Sequence, residues 1–367
     1  MTREEIMASE ESVRPVSQDR PGESNPGGTR PAAPPSGAES RTRTLVYDRA
    51  NGRLEREVDP SRIREILSDP GKLLWLDLEN PGREEYRLLE SQFDFHPLLI
   101  GDCINPQHYP KCDDMGSYIF LVLHSVYYYR EKEDEEALSI REFDIFAGAN
   151  YVVTVHAGHI KAVTANRRLL EQSPKIMTEG AGRLLYHLID AMVDNYIAII
   201  HSLSEKSETL EYAALAGNQP GLVNRILSLR RNVMMMRRVL LPQNELIYRF
   251  AHGKIASVRR EEIIYFRDIH DHLIRISNLV ENLRDMVKSL LEVYHSSISN
   301  NLNNVMKILT VIATIMMPMT LISGIGGMNV LFPFDLRETM IGFWIFIAIM
   351  VVSTSLLLYW FKKIKLL

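Results

Sequence analysis

The sequence predicts an α+β membrane protein: an N-terminal α/β domain, a stalk of long helices and two transmembrane helices per protomer at the C-terminal end. Three observations carry this. Short runs rich in β-branched and aromatic residues alternate with helical runs as far as about Ser173. From about Gly180 the apolar residues fall instead at helical spacing. Two uncharged runs near the C-terminus, 308–334 and 339–361, are each long enough to cross a bilayer core of roughly 30 Å as a helix.

Composition sets the outer bounds. A chain of 367 residues has room for about two or three domains. Hydrophobic content of 46% is ordinary for a globular protein, because the apolar residues are concentrated in the last part of the chain and the average hides them. A net charge of -4 gives no sign of a nucleic-acid partner. Cys103 and Cys112 read as free thiols in a reducing compartment. The chain is charged and polar from Thr2 onward, so no signal peptide is expected.

Residues 1–42 are rich in Pro, Gly, Ser, Glu and Arg and read as a solvated, disordered tail. The α/β domain is assigned to 43–178. Thr44 to Tyr47, Leu73 to Leu76, Tyr118 to Tyr129, Glu142 to Ala147 and Tyr151 to His156 read as strands of a mixed sheet. Pro60 to Leu67 and Arg83 to Phe93 read as helices, each beginning near a proline. A helical hairpin is assigned to 179–256, with helices over Leu184 to Ala216 and Leu222 to Arg249 joined by the turn Gly217 to Gly221.

The next helix is assigned to 257–325, and it organises the rest. Ile269, Leu273, Ile276, Val280, Leu283, Val287, Leu290 and Tyr294 keep strict 3-4 spacing, so one face is built to pack against neighbouring helices. Beside that stripe runs a polar row: Asp268, Asp271, Arg275, Asn278, Asn282, Asp285, Ser289, Glu292, Ser296 and Ser299. At the same spacing the row continues into the uncharged run as Asn303, Met306, Thr310, Ala313, Met317, Thr320 and Gly324. A helix facing lipid has no use for such a seam, whereas a bundle around a watery path does. The bland alternative is close packing of small residues, with threonine hydroxyls bonded back to their own backbone.

Gly324, Gly326 and Gly327 are expected to break this helix at the membrane edge. The loop 326–338 follows, then a second membrane helix over 339–361 and a basic tail over 362–367. Lys362, Lys363 and Lys365 put the C-terminus in the cytoplasm by the positive-inside rule. With two spans the N-terminal domain is then cytoplasmic too, and the loop faces outward.

No GxxxxGK[ST] loop is present, so ATP is not expected as the energy source. His156 with His159, and His270 with His272, read as ordinary surface histidines. Nothing pairs a nucleophile with a base, and no enzyme is expected.

Gly327-Met328-Asn329 resembles the GMN signature of the CorA family of magnesium channels, and Met306 to Thr310 through Pro318 to Ile325 is similar to that family's first membrane helix. Asp102 to Asn105 and Tyr109-Pro110-Lys111 resemble segments of its cytoplasmic domain. The resemblance implies a funnel-shaped homopentamer in the inner membrane that passes Mg2+, and also Co2+ and Ni2+, as hydrated ions. It implies Gly327, Met328 and Asn329 as selectivity filter and Asn303, Met306, Leu309, Thr310, Met317 and Thr320 along the pore. It further implies regulatory Mg2+ between protomers at Asp102 and Asp268, holding the channel closed when internal magnesium is high, and no organic cofactor. Val330 and Leu331 depart from the aromatic residue usual after the motif, leaving only Asp335 and Glu338 as loop acids. The alternatives are a ZntB-like Zn2+ transporter, against which Met328 speaks, and a non-transporting membrane scaffold, against which the seam speaks.

Overall fold

The computed structural model describes residues 39–106, 109–132, 135–216, 220–328 and 340–364. Strands β1 (Arg41–Asp48), β2 (Arg53–Arg56), β3 (Lys72–Glu79), β4 (Lys111–Asp114), β5 (Tyr118–Lys132), β6 (Glu135–Gly148) and β7 (Tyr151–His156) form one sheet in the order β2-β1-β3-β7-β6-β5-β4. The sheet is mixed, as the sequence predicts: β3 and β7 run parallel and the other neighbours antiparallel.

Why the central strands read as unbroken apolar runs is plain from their burial. Alternate residues point to opposite faces of a strand. Leu74, Leu76, Leu78, Phe120, Val122 and Phe146 pack on one side against α1 (Ile63–Ser68), α2 (Arg83–Phe93) and α3 (Pro97–Ile104). Leu73, Trp75, Ile119, Leu121 and Leu123 pack on the other, in one core with α4 (Lys161–Gln172), α5 (Ala181–Ala216), α6 (Leu222–Ala251) and α7 (Ile263–Gly326).

Buried polar side chains pin the helices to the long β5–β6 hairpin. The Tyr196 hydroxyl, on α5, donates to the His124 carbonyl. Gln243 Oε1, on α6, accepts from the His124 amide at 3.1 Å, and Asn232 Oδ1 accepts from the Leu138 amide at 3.1 Å. Each satisfies a backbone group that burial would otherwise leave unpaired.

At 64 residues α7 is about 95 Å long at 1.5 Å per residue. Its buried face is Phe266, Ile269, Leu273, Ile276, Val280, Leu283, Val287 and Leu290, covered by α5 and α6. A last helix, α8 (Met340–Lys363), packs beside the far end of α7. Both are long and apolar enough over one window to cross a membrane.

Several sequence expectations are corrected. β1 takes in Arg41 and Thr42, paired with Glu79 and Leu78, so the sheet begins before residue 43. Helix α7 starts at Ile263 rather than 257, because Glu262 accepts from the Arg259 amide at 3.1 Å and Ser257 is tied to Asp114, which holds the preceding segment in turns. The C-terminal end of α7 falls at Gly326, one residue past the expected 325, with Gly327 as its cap, so the break comes at the glycines as expected. His156 is not a surface residue: it is buried, with Nε2 3.1 Å from Asp77 Oδ1 and Nδ1 2.7 Å from the Gly158 carbonyl.

Tyr196→Phe removes the hydroxyl that donates to the His124 carbonyl and is expected to cost about 1–3 kcal/mol. A lowered thermal unfolding midpoint in the full-length protein would check this, and an unchanged midpoint would contradict it.

Candidate ion pathway and cation-binding cluster

Within its apolar window α7 has one side against α8 and the rest free. Val311 is buried there, and a Cβ on Gly326 would meet the Phe346 ring at 3.3 Å, so this glycine lets the two helices touch. The seam lies elsewhere round the helix. Asn303, Met306, Thr310, Ala313, Met317, Thr320 and Gly324 are all exposed, as is Leu309. So is every residue of the polar row from Asp268 to Ser299, which α5 and α6 leave uncovered. The row and the seam therefore form one strip, polar or small over nearly its whole length, that no part of the same protomer covers among the described residues. Near its middle Asn300, Asn303, Asn304, Met306, Lys307 and Thr310 line a concavity.

The threonine hydroxyls do bond back to their own helix. Thr310 donates to the Met306 carbonyl at 2.8 Å, Thr314 to Thr310 at 2.7 Å and Thr320 to Met317 at 2.9 Å. This does not remove them from a pathway. A hydroxyl has one proton, and once that is committed its oxygen offers only lone pairs outward. Pro318, inside α7, has no N–H for the Thr314 carbonyl, which leaves a second acceptor at this level.

Of the expected filter, Gly327 and Met328 follow directly on α7, with the Met328 amide donating to the Ile325 carbonyl at 3.1 Å. Gly327 keeps a helical φ of -86°, so no left-handed backbone demands a glycine there. Asn329, the rest of the loop and Lys365 lie outside the described residues.

The two expected regulatory acids stand apart in one chain. Asp268, on α7, joins Asp190, on α5, and His272: one ligand atom of each lies within 4.8 Å of the others. The His272 ring lies between the two carboxylates, with Nδ1 4.0 Å from Asp190 and Nε2 3.9 Å from Asp268. Burial, and then the charge of Asp194, push the Asp190 carboxyl above the usual range. Tyr186 donates to Asp268 at 3.2 Å, and its own phenol is pushed up to about 12, by burial first and then by Asp190 and Asp268. Two oxygens and an imidazole make a donor set for a divalent cation, the carboxylates suiting magnesium and the imidazole cobalt, nickel or zinc. His272 reads in sequence as an ordinary surface residue, because i and i+2 on a helix point apart. The signal that finds it is the i, i+4 spacing from Asp268, which puts both on one face of α7. Nothing in the sequence pointed to Asp190. Asp102, on α3, belongs to a different cluster, where Lys111 Nζ reaches it at 2.7 Å.

A family profile described as CorA-like Mg2+ transporter protein matches residues 70–363, from just before β3 to the end of α8. The chain belongs to the CorA family. The cobalt/magnesium transport protein CorA of Thermotoga maritima is 34% identical over 317 residues, which cover 84% of this chain and 88% of that one. Two solved structures share the fold. The CorA magnesium transporter of Methanocaldococcus jannaschii matches with a TM-score of 0.74 at 22% identity, over 87% of this chain and 97% of that one. The ZntB cytoplasmic domain of Vibrio parahaemolyticus matches with a TM-score of 0.53 at 12% identity, over 70% of this chain and 98% of that one. This CorA-family chain is thus a divalent cation transporter and a membrane protein, and α7 and α8 are the two described helices long and apolar enough to cross the membrane.

Carboxylates must be ionised to bind a metal, and Asp190 takes its proton at a higher pH than an ordinary aspartate. Thermal stabilisation of the protein by added cobalt should therefore be full near neutral pH and start to fall on acidification before the ordinary carboxylate range is reached. Asp190→Asn should reduce the stabilisation at neutral pH, and calorimetry on the full chain with and without cobalt checks both.

Proposed function

We propose that several copies of this chain, five by the family resemblance, set their α7 seams around a common axis and pass hydrated Mg2+ and Co2+, with Ni2+ as a further substrate. The observation that carries the proposal is the strip on α7 that remains uncovered through the membrane span. Small and polar side chains in hydrocarbon need a partner or water, and α8 supplies neither along this line.

Magnesium sheds its inner waters reluctantly, so a path for it need only accept hydrogen bonds from those waters. Thr310 and Thr320, whose protons are spent on their own helix, are such acceptors. Asn303 at one end and Asn329 at the other add side-chain amide oxygens, with Gly327 and Met328 completing the filter around Asn329. Met306, Leu309 and Met317 are exposed and apolar, and brought together around an axis they would stop conduction by excluding water.

Asp268, with Asp190 and His272, and Asp102 on a neighbouring copy are read as holding regulatory magnesium. Carboxylates drawn together across an interface repel until a dication joins them, so internal magnesium favours the joined, closed arrangement. Leu98, Ile104 and Tyr109, large and exposed close to Asp102 in sequence, are apolar surface suited to meeting a second copy. Lys362 and Lys363 at the end of α8 support a cytoplasmic C-terminus, and so a cytoplasmic N-terminal domain, in the inner membrane. In this reading the protein is not an enzyme, binds no organic cofactor or nucleic acid, and has the lipid bilayer as its surroundings.

Zinc transport on the ZntB pattern is the second reading. It draws on the imidazole of His272, and Met328 speaks against it. The test is uptake into proteoliposomes carrying ion-sensitive dyes, with magnesium and zinc offered separately to wild type and Asn329→Ala. Magnesium influx that falls at least tenfold in the variant is the expected result. Zinc influx without magnesium would overturn the ion assignment, and influx indifferent to Asn329 the filter.

A further inference from the structure

Asp102 is already paired in the protomer. Lys111 Nζ, from the edge strand β4, lies 2.7 Å from Asp102 Oδ2 and 2.9 Å from Asp113 Oδ2. The lysine is two-thirds buried, with its side chain 34% exposed and that of Asp102 25%, and the ammonium sits over the Phe120 ring at 5.6 Å from the centroid. Asp144 on β6 is buried, and burial first, then the charge of Glu142, holds its carboxyl well above the usual carboxylate range. The ammonium therefore serves Asp102 and Asp113, two carboxylates that would otherwise repel one another between α3 and β4.

We propose that Lys111 is a built-in counter-cation at Asp102, which an incoming divalent ion must displace, so that this lysine raises the magnesium concentration needed to close the channel. The inference rests on the reading of Asp102 as a regulatory ligand. Two effects act in the same direction. The ammonium is hydrogen-bonded to Asp102 Oδ2, and its charge repels a dication held at the same carboxylate. When magnesium is scarce the lysine also keeps Asp102 and Asp113 neutralised, so the open state does not carry bare facing acids. A partly exposed pair of this kind is weak enough to be displaced by an ion of twice the charge.

The test uses the full-length protein in nanodiscs, with resistance to chymotrypsin read against magnesium concentration. Lys111→Met and Lys111→Gln, two neutral replacements of different shape, should each lower the half-protecting concentration by about three- to tenfold. Lys111→Arg should stay within about twofold of wild type, since it keeps the charge. Neutral variants that match wild type, need more magnesium or move in opposite directions overturn the inference. Asp102→Asn tests the underlying reading separately: it should need far more magnesium for protection, and a curve identical to wild type would remove Asp102 as a ligand whatever Lys111 does.

Discussion

Hydrocarbon offers no hydrogen bonds, so a polar group inside a bilayer must find its partner in the protein or in water brought along with it. The membrane part of α7 meets this condition on one side by laying Val311 and Gly326 against α8, and elsewhere by presenting Ile308, Ile312 and Met316. The line from Asn303 to Gly324 meets it in neither way. Threonine protons are used within the helix, yet the oxygens, the Thr314 carbonyl freed by Pro318 and the Asn303 amide remain as acceptors. On the proposed reading, assembly of several copies around water resolves this arrangement.

The same helix connects the two ends of the account. Asp268 and Gly326 belong to one unbroken α7, separated by about 87 Å of helix. Its first half is clamped by α5 and α6, which buried Tyr196, Asn232 and Gln243 in turn fasten to the β5–β6 hairpin. A helix held so firmly at one end moves as a lever, and its weakest backbone position within the membrane is Pro318. On the proposed reading, ions bound near Asp268 and Asp102 decide how neighbouring α/β domains sit, and α7 carries that arrangement into the seam.

Much of this was legible in the residues. Strict 3-4 spacing marked the packed face of α7 because each such position is either covered or not, and the polar row beside it proved exposed at every residue named. What stayed hidden depends on contacts between elements distant in sequence. Asp190 lies 78 residues before Asp268 in the chain and meets it only because α5 packs on α7. His156 read as a strand-end surface residue, since nothing local shows that Asp77 waits on the parallel neighbour β3. Strands β2 and β4, at four residues each, and the short helix α3 carry too few positions for a period to declare itself. The glycines near 324–327 place the break within one residue: α7 ends at Gly326, with Gly327 as its cap.

The central claim is that the uncovered seam of α7 faces water between copies of the chain. Single cysteines at Thr310, Met317, Ile308 and Ile312, in a protein whose native Cys103 and Cys112 are buried, test it directly when treated with a membrane-impermeant cationic thiol reagent during ion uptake. Thr310→Cys and Met317→Cys are expected to be modified and to lose uptake, while Ile308→Cys and Ile312→Cys are neither modified nor inhibited. Equal reactivity at all four positions, or modification of the two isoleucine sites alone, would contradict it.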